Sequence, residues 1–247
     1  MTTNVYDEVK YLLTSDTRWS TQSHDGEWIG YVDDTGYNKI IYDTGMAFLF
    51  AGGMEEIDKW KQWIRNGRKD DEIPIDPLAR ISVLAVNRKT GYLEYSRKAL
   101  CVQGNFTHKA WFAGTGGDPA KVCWTANRCA RRAIDSAALK DPFTGGNATF
   151  ANRKTGVGNV KKIEAATVAD VRQQLKDRGI LMHRDNAHAP MLLKDSANDP
   201  NVDLAARELA SSVMSGSASL SAPFPGMDKP LSPKEIALFR AAMLKNR

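Results

Sequence analysis

The chain is poor in cysteine and histidine, with three of one and four of the other in 247 residues. Cys101, Cys123 and Cys129 are odd in number and sit inside apolar patterns, which fits reduced, buried thiols better than disulfides or a zinc site. His24, His108, His183 and His188 have neither metal-ligand spacing nor a triad partner, so no metal or cofactor is expected. Any run of about 18 apolar residues is lacking, as is a basic stretch followed by an apolar one at the start. No membrane span or secretory signal is therefore expected, and a cytoplasmic location is. Basic blocks are scarce too: the formal net charge is +5, but Lys and Arg are spread along the chain. The nearest to clusters are two copies of Asn-Arg-Lys-Thr-Gly, at 87–91 and 152–156. Each lies between strand-like runs and reads as a solvated hairpin turn, which argues against a nucleic-acid partner.

What is present, 42% hydrophobic and 26% charged residues, suits one domain with a sizeable core and an appendage. Asn4 to Tyr6 and Tyr11 to Ser15 read as a hairpin; Lys39 to Tyr42 and Met46 to Ala51 read as a second, turning at Asp43-Thr44-Gly45. Gly52-Gly53 ends that strand. From Met54 to Asn66, Ile57, Trp60 and Ile64 recur at spacings of three and four among charges, the pattern of an amphipathic helix. Strands follow at about 80–87, 92–102 and 109–114, ending at Gly114-Thr115-Gly116-Gly117. A single long helix is expected from about Pro119 to Leu139, with Val122, Ala126, Cys129, Ala130, Ala133 and Ala137 on one stripe. Two strands about the second Asn-Arg-Lys-Thr-Gly turn come next, and then a helix capped by Thr167.

From Gly179 the texture changes, with a Ser-rich stretch at 211–221 and Ala222-Pro223-Phe224-Pro225-Gly226 separating short helices at about 202–214 and 233–245. Ser232-Pro233-Lys234-Glu235 is a strong helix start. These helices are too small to form a core alone, so residues 1–178 are expected to form the domain and 179–247 an arm for assembly or partner binding.

Residues 2 to about 178 resemble a proteasome β-type subunit or bacterial proteasome-like peptidase, of the N-terminal nucleophile hydrolases. The Thr2-Thr3 start and Asp16 closing the second strand resemble that family's opening. Lys39-Ile40 and Ala51-Gly52-Gly53 resemble its catalytic lysine and Ala-Gly-Gly turn, and Gly114-Thr115-Gly116 resembles its Gly-Ser-Gly turn. Ala130-Arg131-Arg132-Ala133-Ile134, Asp141 and Thr144-Gly145-Gly146 are similar to its helix and Asp-x-x-Ser-Gly-Gly loop, and Val168-Ala169-Asp170 to the start of its closing helix. Thr115 and Thr144 stand where the family has serines, and one helix is expected between Gly117 and Asp141 where the family has two.

The resemblance implies an α+β fold, a four-layer αββα sandwich of two antiparallel sheets, with the C-terminal helical extension added. It implies a threonine peptidase in which Thr2, freed by removal of Met1, is the nucleophile and its α-amine the base. Lys39 would favour the alkoxide, Asp16 would hold Lys39, Asp141 and Thr144 would orient the amine, Gly52 N–H would serve the oxyanion, and Thr115 would be a further catalytic residue. It further implies a homo-oligomer, in the family a ring, and for an active enzyme a peptide substrate, while any ATPase or assembly partner stays open. Trp60, Trp63 and Trp124, on helices expected outside the sheets, are candidates either for contacts between copies or for the subunit's own core. The alternative is an inactive structural or assembly protein of the same fold, such as a virion or scaffold component, that keeps Met1; acylated, the Thr2 nitrogen is no base.

Overall fold

The computed structural model describes residues 2–247 except 77, 79, 98, 105–107, 161–163, 186, 228 and 246–247, and only the backbone at 99–104 and 108. Met1 and the side chains of Cys101 and His108 therefore lie outside the described residues. With elements numbered along the chain, a five-stranded sheet contains β1 (Asn4–Asp7), β2 (Leu12–Ser15), β9 (Ala99–Gly104), β10 (His108–Ala113) and β11 (Thr149–Asn152), in the order β11-β2-β1-β10-β9. The second sheet contains β3 (Trp19–Gln22), β4 (Trp28–Val32), β5 (Ile40–Tyr42), β6 (Met46–Gly53), β7 (Ile81–Asn87), β8 (Leu93–Ser96), β12 (Ile180–His183), β13 (Met191–Leu192) and β14 (Ser221–Ala222). Its order is β13-β12-β4-β3-β14-β6-β7-β8, with β5 beside β6. The pairings described in both sheets are antiparallel.

The helices are α1 (Met54–Arg65), α2 (Gly117–Asn127), α3 (Ala130–Ala138), α4 (Val168–Arg178), the single-turn α5 (Leu193–Ser196), α6 (Leu204–Ser215) and α7 (Pro233–Met243). Among the described residues no helix is long and apolar enough to cross a membrane.

Strand alternation explains how the core divides. Along β6, Met46, Phe48 and Phe50 join the side chains of α1, α4, α6 and α7, whereas Ala47 and Leu49 turn to the other face and meet Tyr6 and Leu13 of the smaller sheet. β7 divides likewise, with Ile81, Val83 and Ala85 on one face and Leu84 and Val86 on the other. Val5 and Phe112, from the remaining face of the smaller sheet, pack with Trp124, Ala133 and Ile134 of α2 and α3. Both faces of β6 are thus covered, which is why Met46 to Ala51 reads as an unbroken apolar run.

Several expectations change. The stretch 92–102 is two strands in different sheets, because after β8 the chain leaves the larger sheet for the smaller one. The single helix at 119–139 is two: Arg128 takes a left-handed φ of +53° and the Asn127 side chain accepts from the Cys129 backbone at 3.0 Å, so the helical phase restarts. Val122, placed on the inner stripe, is instead exposed. Cys123 and Cys129 are free but only partly buried. Trp60, Trp63 and Trp124 are buried in the chain's own core and offer no surface to another copy.

β3 and β4 carry no element in the sequence reading. Residues 179–247 also do more than expected, supplying β12, β13 and β14 to the larger sheet and Leu209, Val213, Phe239 and Met243 to the main apolar cluster. Phe239, fully buried, lies 4.8 Å from the Trp60 ring and 5.1 Å from the Tyr95 ring, centroid to centroid. Phe239→Ala is expected to lower unfolding free energy by about 3–5 kcal/mol, the range for emptying a buried aromatic site. Urea unfolding checks this; a loss under about 1 kcal/mol would mean that α7 is not part of the core.

Candidate functional site

The β1–β2 hairpin pairs Asn4 with Ser15, and the ladder continues as Asp16 N–H donates to the Thr3 carbonyl at 3.2 Å. This puts the Asp16 carboxylate beside the chain start. β5 pairs with β6, and Phe50 N–H donates to the Lys39 carbonyl at 2.9 Å, holding Lys39 at the head of β5. The Asn4 amide ties the sheets together by donating to the Phe50 carbonyl at 2.9 Å.

Three side chains converge there. Lys39 Nζ donates to Thr2 Oγ1 at 2.7 Å, to both Asp16 carboxylate oxygens at 3.0 Å, and to the Arg18 carbonyl at 2.7 Å. Thr2 Oγ1 in turn donates to Asp16 Oδ1 through a short hydrogen bond. The remaining Asp16 lone pairs accept from the backbone N–H groups of Thr3 at 2.9 Å, Arg18 at 3.1 Å and Gly145 at 3.4 Å. Lys39 and Asp16 are fully buried ions satisfied on every side. Burial pushes the Lys39 ammonium below its ordinary range, while Asp16 pulls the other way.

A second group lies one residue along. Thr144 Oγ1 donates to Asp141 Oδ2 at 2.6 Å, and Thr115 Oγ1 donates to the same oxygen at 3.1 Å. The Thr144 proton being committed, the 2.7 Å contact between the Thr3 and Thr144 hydroxyls has Thr3 as donor. Asp141, Thr144 and Thr115 are therefore joined to the Thr3 side chain. A Cβ at Gly116 would overlap the Thr3 and Thr144 hydroxyls, so only glycine admits this cluster.

Gly52 lies on β6, opposite Ile81 on one side and Ala222 on the other, with φ at +139° and no room for a Cβ against the Arg80 carbonyl. Six of the seven expected residues thus gather in these two groups, while Gly52 lies on β6 two residues after Phe50, whose carbonyl accepts from Asn4. Two contributors escape the sequence reading. Thr3 links the two groups, and the Thr-Thr pair was the available signal. Arg18 supplies the carbonyl under Lys39, and its guanidinium grips Asp33 at 2.8 and 2.9 Å and the Pro142 carbonyl at 2.6 Å. Those partners are distant in sequence, so no local pattern marks Arg18.

Among the described histidines, His188 stacks on Trp28 and His183 meets the same ring edge-on, with ring centroids 5.4 and 5.1 Å from it. Among the described residues no three His, Cys, Asp or Glu side chains gather as a metal site. Comparison with protein-family models and with curated proteins yields no match.

Removing only the lysine strands a buried carboxylate. Lys39→Met is therefore expected to cost about 3–5 kcal/mol, with Lys39→Met/Asp16→Asn recovering much of that loss. A double-mutant cycle in urea measures it; purely additive single effects would mean that the pair is not coupled.

Proposed function

We propose that the chain is a threonine peptidase of the N-terminal nucleophile type, with the four-layer αββα arrangement of that class. The observation that carries the reading is the buried convergence of the Thr2 hydroxyl, Lys39 and Asp16, at 2.7 Å for Lys39 to Thr2 and 3.0 Å for Lys39 to Asp16. Removal of residue 1 frees the Thr2 amine. That amine takes the hydroxyl proton as Thr2 Oγ1 attacks the peptide carbonyl, and Lys39 stabilises the developing alkoxide. The carbonyl oxygen becomes the oxyanion, for which Gly52 N–H is the donor, a contribution of about 2.7–4 kcal/mol at the transition state. The amine then passes its proton to the leaving nitrogen, giving an ester on Thr2 that water hydrolyses to release the acid and restore the hydroxyl. Asp141, Thr144 and Thr115 position Thr2 through its neighbour Thr3.

One observation favours a second reading: Thr2 is fully buried, as suits an inactive structural protein that keeps residue 1. Intact mass followed by incubation with a peptide boronate or epoxyketone separates the two. The peptidase reading expects a chain beginning at Thr2, a mass shift, and loss of adduct and turnover in Thr2→Ala. Retained Met1 with no shift favours the structural protein.

The pH profile of turnover has a defined sign. The amine acts as a base once deprotonated, so the rate rises through about pH 7.7–8.0, the unperturbed range of an α-amine. Lys39 acts while charged, and its ammonium is lowered from the ordinary 10.5, so the rate falls again before pH 10.5. Rate measurements from pH 6 to 11 check this; a profile still climbing at pH 10.5 excludes a charged Lys39 from the mechanism.

A further inference from the structure

β14 is only two residues long, yet it is the strand through which β13-β12-β4-β3 and β6-β7-β8 become one sheet. Ser221 is paired with Ser20 of β3 on one side and Gly53 of β6 on the other, and Ala222 with Gly52. Met54 N–H donates to the Leu220 carbonyl at 2.9 Å, and the Ser20 hydroxyl to the Ser221 carbonyl at 3.4 Å. These are contacts to main-chain atoms, which any extended segment carries. Specificity lies in the alternation: Leu220, Ala222 and Phe224 are buried on one face, while Ser219, Ser221 and Pro223 are less covered.

This strand-wide gap adjoins the site described above. Ala222 covers the backbone of Gly52, and β3 begins one residue after Arg18, whose carbonyl holds Lys39. A cavity of about 560 Å³ runs beside the strand, and its wall includes Thr115, Phe143, Arg80, Ser219 and Pro223. The occupant comes from an irregular stretch bounded by Ser217-Ala218-Ser219 and Pro225-Gly226, anchored at its start where Arg172 donates to the Ala218 carbonyl at 3.0 Å, and beyond that point a few main-chain bonds and the side chains of Leu220, Ala222 and Phe224 hold it in place.

We propose that the channel between β3 and β6 is a binding site for an extended peptide with a large apolar, small, large apolar residue at alternate positions, and that residues 219–224 of this chain are its resident, displaceable occupant. That its displacement uncovers a reactive Thr2 rests on the peptidase reading; the strand exchange does not. A tethered strand competes at an effective concentration on the order of millimolar, so free peptide binds the wild-type chain weakly.

The test uses the full chain and a fluorescein-labelled synthetic peptide of residues 217–227, followed by anisotropy. Ala222→Asp, which loosens the resident strand, is expected to bind the peptide at least tenfold more tightly than wild type does, and a peptide carrying the same Asp is expected not to bind. Unchanged peptide affinity in a folded Ala222→Asp chain overturns the proposal. Should that variant fail to fold, amide exchange of the wild-type chain decides: the amides of residues 219–222 and 224 are expected to exchange at least tenfold faster than the β6–β7 ladder, and equal protection overturns the proposal. The boronate separates the readings. Peptide exchange without any adduct defeats the peptidase and leaves the strand site, whereas adduct formation equally fast in wild type and Ala222→Asp leaves the peptidase and defeats the resident strand as its cover.

Discussion

The burial of one lysine and one aspartate in the same place, Lys39 against Asp16, constrains more of this molecule than any other contact. Taking either ion out of water costs several kcal/mol, and their attraction offsets that only if every remaining proton and lone pair finds a partner. The partners come from separate parts of the chain: the Thr2 hydroxyl, the backbone of Thr3 and Arg18, and the Gly145 N–H. Asp16 closes a strand of the smaller sheet and Lys39 opens a strand of the larger one. The ion pair therefore fixes how the sheets lie against each other, and the Asn4 to Phe50 hydrogen bond reinforces it. A slip of one residue in β2 or β5 would turn either side chain to the opposite face and leave a buried charge alone.

A second buried lysine shows why burial is not enough to mark a reactive site. Lys61 of α1 is pushed down to about 8 by burial, lies 3.5 Å from the centroid of the Tyr37 ring and pairs with Glu164, which Arg65 also engages. That arrangement ties α1 to the segment preceding α4, and Lys61 finds a carboxylate, a carbonyl and a ring around it. Lys39 differs in having a hydroxyl at hydrogen-bond distance that shares its carboxylate, the arrangement on which the proposed nucleophile rests.

What could be read from sequence follows the range of the forces involved. Hairpins such as β1–β2 and β5–β6, and helices with strong apolar periodicity or caps such as α1, α4 and α7, are set by near neighbours and were legible. β3 and β4 were not, because their buried positions include Ser20, Thr21 and Gly30, whose places depend on strands far along the chain. The break between α2 and α3 was hidden because Ala and Cys continue the helical spacing across it, while the left-handed turn at Arg128 leaves no compositional mark. Among the site residues, Thr2, Asp16, Lys39, Gly52, Thr115, Asp141 and Thr144 were placed by resemblance in motif order, and their convergence depends on tertiary pairing. Arg18 and the part played by Thr3 depend on partners in the 141–144 turn, beyond the reach of local pattern.

The same dependence on distant pairing explains why residues 179–247 looked separable and are not. Their helices are short and their linkers rich in Ser, Pro and Gly, which is the composition of an appendage. Yet the larger sheet without them would lose β12 and β13 from beside β4 and open between β3 and β6, exposing three rows of backbone groups and uncovering Trp60 of α1. Ser221–Ala222 closes that gap because Gly52 and Gly53 bring no side chains to it, so a neighbouring backbone can approach closely. Glycine at position 52 is thus required twice, by the Arg80 carbonyl packed against it and by the strand laid along it. The backbone of Gly52 is consequently covered by the chain's own later residues, through a strand of only two residues.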